Sequence, residues 1–207
     1  MDLADILREG TKDAHRRTER GVPLRAVKRF LSREVYSSYL RDLHDVYEAL
    51  ESGLEQAQHP LVAPLRIPEL YRTHALEEDL LYFCGAGWAT AQVSPAGAAY
   101  RSRLEELASQ QPELLVSHAY VRYLGDLFGG QVIRKIIRAA LQLPKGEGTA
   151  FYEFPLGIKE GRDSVRSALN ALPVDEAMSQ RLVAEANYAF ELTGAIFREL
   201  ANAGTGI

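Results

Sequence analysis

The stretch from Tyr120 to Gln131 reads Tyr-Val-Arg-Tyr-Leu-Gly-Asp-Leu-Phe-Gly-Gly-Gln, and it interrupts what is otherwise a long helical pattern from Pro112 to Leu143. Leu114, Leu115, His118, Val121, Arg122, Leu124 and Gly125 lead into it at spacings of three and four. Val132, Ile133, Ile136, Ile137, Ala140 and Leu141 resume a 3.6-residue apolar stripe beyond it. Three glycines within six positions each cost a helix about 0.8–1 kcal/mol relative to alanine. Gly125 and Gly129 fall one turn apart and leave bare backbone on one face, whereas Asp126 faces another side. Two readings follow. The run is a loop between two shorter helices, with Asp126 capping the second, or it is a bend in one helix that lets something large lie on the main chain. Pattern alone favours the loop.

The remaining chain reads as helices separated by proline and glycine. Asp2 is placed to cap a first helix that reaches about Arg20 and carries Leu3, Ile6, Leu7, Gly10 and Ala14. Gly21-Val22-Pro23 breaks it, and a short helix around Leu24–Leu31 follows. Ser32 opens a long amphipathic helix through Leu54, and Pro60 to Pro68 is connector. Pro68 suits the first position of the next helix, which stops at Gly85 or Gly87. Ser94-Pro95 starts another that ends before Gln111-Pro112. Pro144 to Gly161 is irregular, with at most a short extended piece at Phe151–Phe154. Helices resume over Arg162–Leu172 and Asp175–Leu200. There is no repeat and no strand series, so the expectation is one all-α domain over residues 1–207, with 201–207 a frayed tail.

Composition narrows the function classes. A formal charge of −4 and no Lys/Arg run argue against nucleic acid as a partner. The single cysteine, Cys84, permits no internal disulfide. No apolar run approaches the roughly 20 residues of a membrane span, and the acidic N-terminus has no signal-peptide pattern, so a cytoplasmic protein without a membrane anchor is expected. Five histidines are available, without an H-E-x-x-H pair, duplicated Glu-x-x-His pairs, a G-x-S-x-G elbow, a Walker loop or a dinucleotide fingerprint. His59 reads as surface, and His44 and His118 as hydrogen-bonded structural residues. His15 differs: Arg8 and Lys12 precede it by seven and three residues and Glu19 follows by four. An imidazole among cations can bind the iron of a flat, carboxylate-bearing cofactor and pair with its acids. Arg162 and Arg166, one turn apart, serve such acids equally well or form a solvated helix face.

Thr11-Lys12-Asp13-Ala14-His15 with Glu19, and the block Glu113–Val132, resemble the haem oxygenase family. The similarity continues through Gly146-Glu147-Gly148, Phe151–Pro155, Arg166 and Ala189-Phe190, and spans Leu3 to Leu200. The resemblance implies a single-domain helical fold with haem between a proximal N-terminal helix and a kinked distal helix. It makes His15 the iron ligand, with Glu19 beside it. Gly125 and Gly129 become the distal backbone over the haem, Gly130 completes the kink, and Asp126 organises catalytic water. Arg8, Tyr120, Arg162, Arg166 and Phe190 become haem-edge residues. The implied reaction is cleavage of haem at a meso carbon to biliverdin, CO and ferrous iron, with haem as both substrate and cofactor. It uses O2 and an external electron donor (ferredoxin, flavodoxin or an NADPH-dependent reductase), and a biliverdin-consuming reductase is a further partner. Arg134, Lys135 and Arg138 either dock an acidic donor or form a solvated face. Arg8 stands where many relatives carry lysine, Phe128 replaces a small polar residue, and Thr193 stands where relatives often have asparagine. The alternatives are a haem carrier and a haem-free helical enzyme acting on thiamin pyrimidines.

Overall fold

The computed structural model describes residues 1–20 and 32–202, so the predicted break at Gly21–Pro23 and the helix around Leu24–Leu31 lie outside the described residues. Among the described residues the elements are α-helices joined by turns and short 3-10 segments, with no strand. They are α1 (Leu3–Gly10), α2 (Lys12–Arg20), α3 (Arg33–Gln56), α4 (Thr73–Cys84), α5 (Pro95–Gln110), α6 (Leu115–Phe128), α7 (Gly130–Ala140), α8 (Ile158–Asn170) and α9 (Glu176–Asn202). The long α3 runs through the middle and packs mainly on α5 and α4, while α9 lies against α6, α1 and α2. Tyr36, Leu40, Leu43, Tyr47, Leu50 and Leu54 follow the helical period of α3 and are fully buried. Burying each such side chain contributes about 1.5–3 kcal/mol.

Buried carboxylates on these helices close the ends of their neighbours, where helix geometry leaves backbone N–H groups without partners. Asp42 on α3 accepts from the Ser94 backbone N–H at 2.8 Å and from its hydroxyl at 2.7 Å, and Ser94 in turn caps α5 through Gly97 at 3.0 Å. Glu51 accepts from Arg72 N–H and, at 3.2 Å, from Thr73 N–H, fixing the start of α4. Asp79 on α4 accepts from Ala150 N–H at 2.8 Å and Phe151 N–H at 2.9 Å, pinning the 3-10 turn Ala150–Tyr152.

Several boundaries differ from the sequence expectation, each for a local reason. The first helix is two: Thr11, whose hydroxyl bonds back to the Leu7 carbonyl at 2.7 Å, separates α1 from α2. Asp2 makes no side-chain cap, and Asn170 of α8 instead accepts from Ala4 N–H at 3.1 Å. Pro68 starts only the 3-10 turn Pro68–Leu70, and α4 begins at Thr73, where Glu51 supplies the acceptor. Phe151 belongs to a 3-10 turn and not to an extended piece. Helix α8 starts at Ile158, four residues before Arg162, because Gly157 turns the chain with φ 82°.

The glycine run is neither a loop nor an unbroken helix. Helix α6 ends at Phe128 and α7 begins at Gly130, and the single residue between them, Gly129, keeps helical dihedrals of −84° and −31°. Its N–H bonds to the Gly125 carbonyl at 2.8 Å. Asp126 therefore lies inside α6 and caps nothing. The break is a kink.

Candidate active site

Helices α1, α2, α6, α8 and α9 enclose a cavity of about 780 Å³, a size typical of small-molecule and cofactor sites. Ala4, Arg8, Thr11, Lys12, His15 and Arg16 form one wall, successive positions on the inner face of α1 and α2. Tyr120, Val121, Leu124, Gly125, Phe128 and Gly129 line it from α6 and the kink. Arg162, Asp163 and Arg166 come from α8 and Phe190 from α9. The His15 ring stands edge-on to Phe190, centroids 5.5 Å apart at 79°. The Thr11 and Tyr120 hydroxyls meet at 3.5 Å, and burial pushes the Tyr120 phenol up, so it remains protonated.

The glycines play different parts. A Cβ added to Gly125 would meet nothing within 4 Å, and one added to Gly129 would meet only the Gly125 carbonyl at 3.2 Å. Both therefore present main chain to the cavity. Gly130 does not line it: a Cβ there would lie 2.9 Å from the Tyr152 ring, so this glycine lets the kink close onto the Ala150–Tyr152 turn.

Among the described residues, five cations, Arg8, Lys12, Arg16, Arg162 and Arg166, share the cavity lining with one acid, Asp163. Arg8 lies 3.8 Å from Asp5 and 3.6 Å from Glu9, Lys12 is 3.8 Å from Glu9, and Arg166 bonds Asp5 at 2.9 Å. Such solvent-facing pairs are worth at most about 1 kcal/mol, so they yield readily to an anionic ligand. Phe128 is 61% exposed, with the Arg162 guanidinium 4.7 Å above its ring. It borders the mouth of the cavity and does not fill it. Thr193 does not line the cavity; its hydroxyl bonds the Ala189 carbonyl at 2.9 Å.

Asp126 follows Gly125 by one residue, about 100° around the helix, and points into the core behind the cavity wall. Its carboxylate accepts from the Tyr47 hydroxyl and from Arg122 Nη2 at 3.2 and 3.4 Å. The Arg122 guanidinium lies 5.4 Å from the Tyr47 ring centroid. Burial pushes the Asp126 carboxyl up, and the Arg122 charge and Tyr47 hydrogen bond only partly offset it. Burial likewise holds the Tyr47 phenol well above its ordinary value, keeping it a donor. This group can hold a proton one residue behind bare main chain.

The Glu19 side chain lies outside the described residues. Sequence reasoning missed Tyr47, Arg122 and Arg16. The four-residue spacings Arg122–Asp126 and Lys12–Arg16 were readable signals, whereas nothing local marks Tyr47, 79 residues from its partner. His118 is fully buried, 3.2 Å from the Tyr100 hydroxyl and 2.9 Å from Glu185, as a structural histidine should be. His44 departs from expectation: it is buried, yet neither ring nitrogen has a hydrogen-bond partner among the described residues.

One imidazole, bare peptide and a cationic rim on one cavity suit a flat, dianionic iron macrocycle. Over residues 1–199 the chain matches the family described as Heme oxygenase. It is 42% identical to Heme oxygenase 2 of Synechocystis sp. over 207 residues, covering 96% of this chain and 83% of that protein. The chain belongs to the haem oxygenase family. Heme oxygenase 2 of Oryctolagus cuniculus is also 42% identical, over 99% of this chain and 68% of that relative. The solved structure of heme oxygenase-2 from Synechocystis sp. in complex with heme and NO superposes with a TM-score of 0.90, covering 100% of this chain and 89% of that one. Heme oxygenase from Leptospira interrogans, 40% identical, gives a TM-score of 0.88 over 96% of this chain and 100% of that chain. This haem oxygenase is accordingly a haem-degrading oxidoreductase with an all-helical fold. No helix among its described residues is long and apolar enough to cross a membrane.

Proposed function

We propose that this chain binds haem in the 780 Å³ cavity through His15 and, with O2 and an external reductant, opens it at a meso carbon to biliverdin, CO and ferrous iron. The supporting observation is that His15 and the bare backbone of Gly125 and Gly129 line one cavity. Bound haem supplies the iron that takes up O2 and the ring carbon that is oxidised. The protein does the rest by position. His15 offers a ring nitrogen to the iron. Arg8, Lys12, Arg162 and Arg166 bind the carboxylates and so set how the ring is rotated. Gly125 and Gly129 admit the ring's other face to the main chain, while Val121 and Leu124 keep bulk water from it. Asp126 holds a proton between the Tyr47 hydroxyl and Arg122 and releases it toward the cavity through ordered water.

The reductant is an acidic electron carrier, such as a ferredoxin, a flavodoxin or an NADPH-dependent reductase, in a cytoplasmic setting; a biliverdin-consuming reductase takes the product. Of the three cations beyond the kink, Arg138 is committed to the carbonyls of Leu143 at 3.3 Å and Pro144 at 2.7 Å, and Arg134 is paired with Glu153. Lys135 is left to meet such a carrier, together with the cavity-rim arginines.

Incubating the protein with hemin, ascorbate and O2 tests the reading. The expected result is loss of the Soret band with growth of biliverdin absorbance. A Soret band that persists makes the protein a carrier, and no Soret shift on adding hemin removes haem altogether. His15→Ala should abolish the imidazole-ligated spectrum and turnover; an unchanged axial-ligand spectrum would move the ligand elsewhere.

A further inference from the structure

His44, Asp45 and Glu48 stand at positions i, i+1 and i+4 of α3, and one ligand atom from each lies within 4.8 Å of the others. None of the three lines the haem cavity. The His44 side chain is 8% exposed, and buried polar atoms normally find a hydrogen-bond partner, but among the described residues neither ring nitrogen has one. Both nevertheless face carboxylates: Nδ1 lies 3.6 Å from Asp45 Oδ1, and Nε2 lies 3.5 Å from Glu77 Oε1 on α4. Those separations are too long for hydrogen bonds. The Nδ1–Asp45 separation is close to the spacing of two ligands on one small cation, since atoms about 2.1 Å from a tetrahedral ion lie about 3.4 Å apart.

We propose that His44 Nδ1, Asp45 and Glu48 bind a first-row divalent cation of the zinc, manganese or ferrous class, with Glu77 closing from 3.5 Å onto the Nε2 proton as the ring settles on the ion. A mixed imidazole and carboxylate set selects such ions. A carboxylate on the second ring nitrogen is the usual device for fixing the tautomer of a metal-bound histidine. The charges permit it. Asp45, Glu48 and Glu105 face two guanidiniums, those of Arg41 and Arg101, and Glu77 adds a fourth carboxylate beside His44. Each arginine has another partner when a cation enters: Arg41 bonds the Ala91 carbonyl at 3.3 Å, and Arg101 bonds Glu105 at 2.7 Å. His74, exposed on α4, lies 3.3 Å from the other Glu77 oxygen and reinforces its orientation.

The chain carries its own reporter. Trp88 is the single tryptophan, and its ring centroid lies 4.8 Å from that of His44. Titrating the full-length protein with Co²⁺ should quench Trp88 emission at one equivalent, produce a d–d absorption band, and be reversed by Zn²⁺. His44→Gln should lose both signals, while His15→Ala should keep them, which separates this site from the cavity. Glu77→Gln should weaken binding about 10-fold or more. Unchanged emission, equal quenching in His44→Gln, or loss of quenching in His15→Ala would overturn the proposal. Should His44→Gln fail to fold by circular dichroism, Glu48→Gln, at a half-exposed side chain, decides: at least about 10-fold weaker binding supports the site, and undiminished binding overturns it.

Discussion

Two buried carboxylates hang on helix α6, one near each end, and they are held in opposite ways. Glu185, reaching α6 from α9, accepts from His118 at 2.9 Å and from Arg103 at 3.0 and 2.7 Å. Burial alone would push its carboxyl up, but these hydrogen bonds and charges outweigh burial and bring it down to about 2. Burial lowers His118, so the ring is neutral, with Nε2–H facing Glu185 and Nδ1 accepting from Tyr100. Asp126 at the other end has Tyr47 and only a long contact to Arg122, and there burial prevails and the carboxyl moves up. The contrast assigns their work. One end of α6 carries a fixed charge that ties helices together; at the other, behind Gly125, burial favours the protonated carboxyl, which suits the proton-holding role proposed for it.

Substitutions that remove the charge but keep the shape should separate the two. Asp126→Asn should lower biliverdin formation by about 10²–10⁴-fold and also lower the melting temperature, because the buried Arg122 guanidinium then faces a neutral amide in place of its carboxylate. Undiminished yield in single-turnover assays would end the proton-holding role. Glu185→Gln should leave turnover near normal and lower stability by about 3 kcal/mol, so the two variants part on turnover. The sign is set by a folded value below the unfolded one. That contribution is complete above the ordinary carboxylate range near 4.5 and is lost as pH falls toward about 2. Urea melts of wild type and variant between pH 2 and 6 should therefore converge at the acid end; parallel curves would break the comparison.

The front of the same helix gives smaller effects. Gly125→Ala places a methyl in open space, so it should raise ligand-free stability by about 0.5–1 kcal/mol while weakening haem binding in a Soret titration. Tighter haem binding would mean that the bare backbone is not what the ring rests on. Smallest is Arg166→Ala: it gives up an exposed pair with Asp5, so stability should shift by less than about 0.5 kcal/mol. The ratio of biliverdin isomers should shift if Arg166 helps set the ring's rotation. An unchanged ratio assigns Arg166 to the solvated face.

Much of this fold was legible because helices here are punctuated by the chemistry that ends them. Ser32 accepts from Val35 N–H at 3.2 Å, and Ser94-Pro95 opens α5. Where the stop or start depends on a distant residue, sequence fails. Glu51 sets the start of α4 from 22 residues away, and Asn170 caps α1 in place of Asp2. The candidate site shows the same division. The glycine face of α6 was visible because three glycines make no local sense in a helix, and the offset of Asp126 follows from helical geometry. Its partners were not visible, since Tyr47 is one more member of an apolar stripe until α3 and α6 are packed together. His44 shows the converse. Its position beside an apolar stripe suggested a satisfied core residue, and only the packed neighbours reveal an imidazole among carboxylates.

The close fit of Gly130 against Tyr152 makes the distal wall of the cavity part of a chain of contacts that begins on α4. Asp79 grips the peptide at Phe151, Tyr152 bears on Gly130, and Gln131 returns a hydrogen bond to the Tyr152 carbonyl at 2.7 Å. The placement of α4 is thereby tied, through the Ala150–Tyr152 turn, to the backbone that forms the distal wall of the cavity, so residues far from the lining share in fixing its shape.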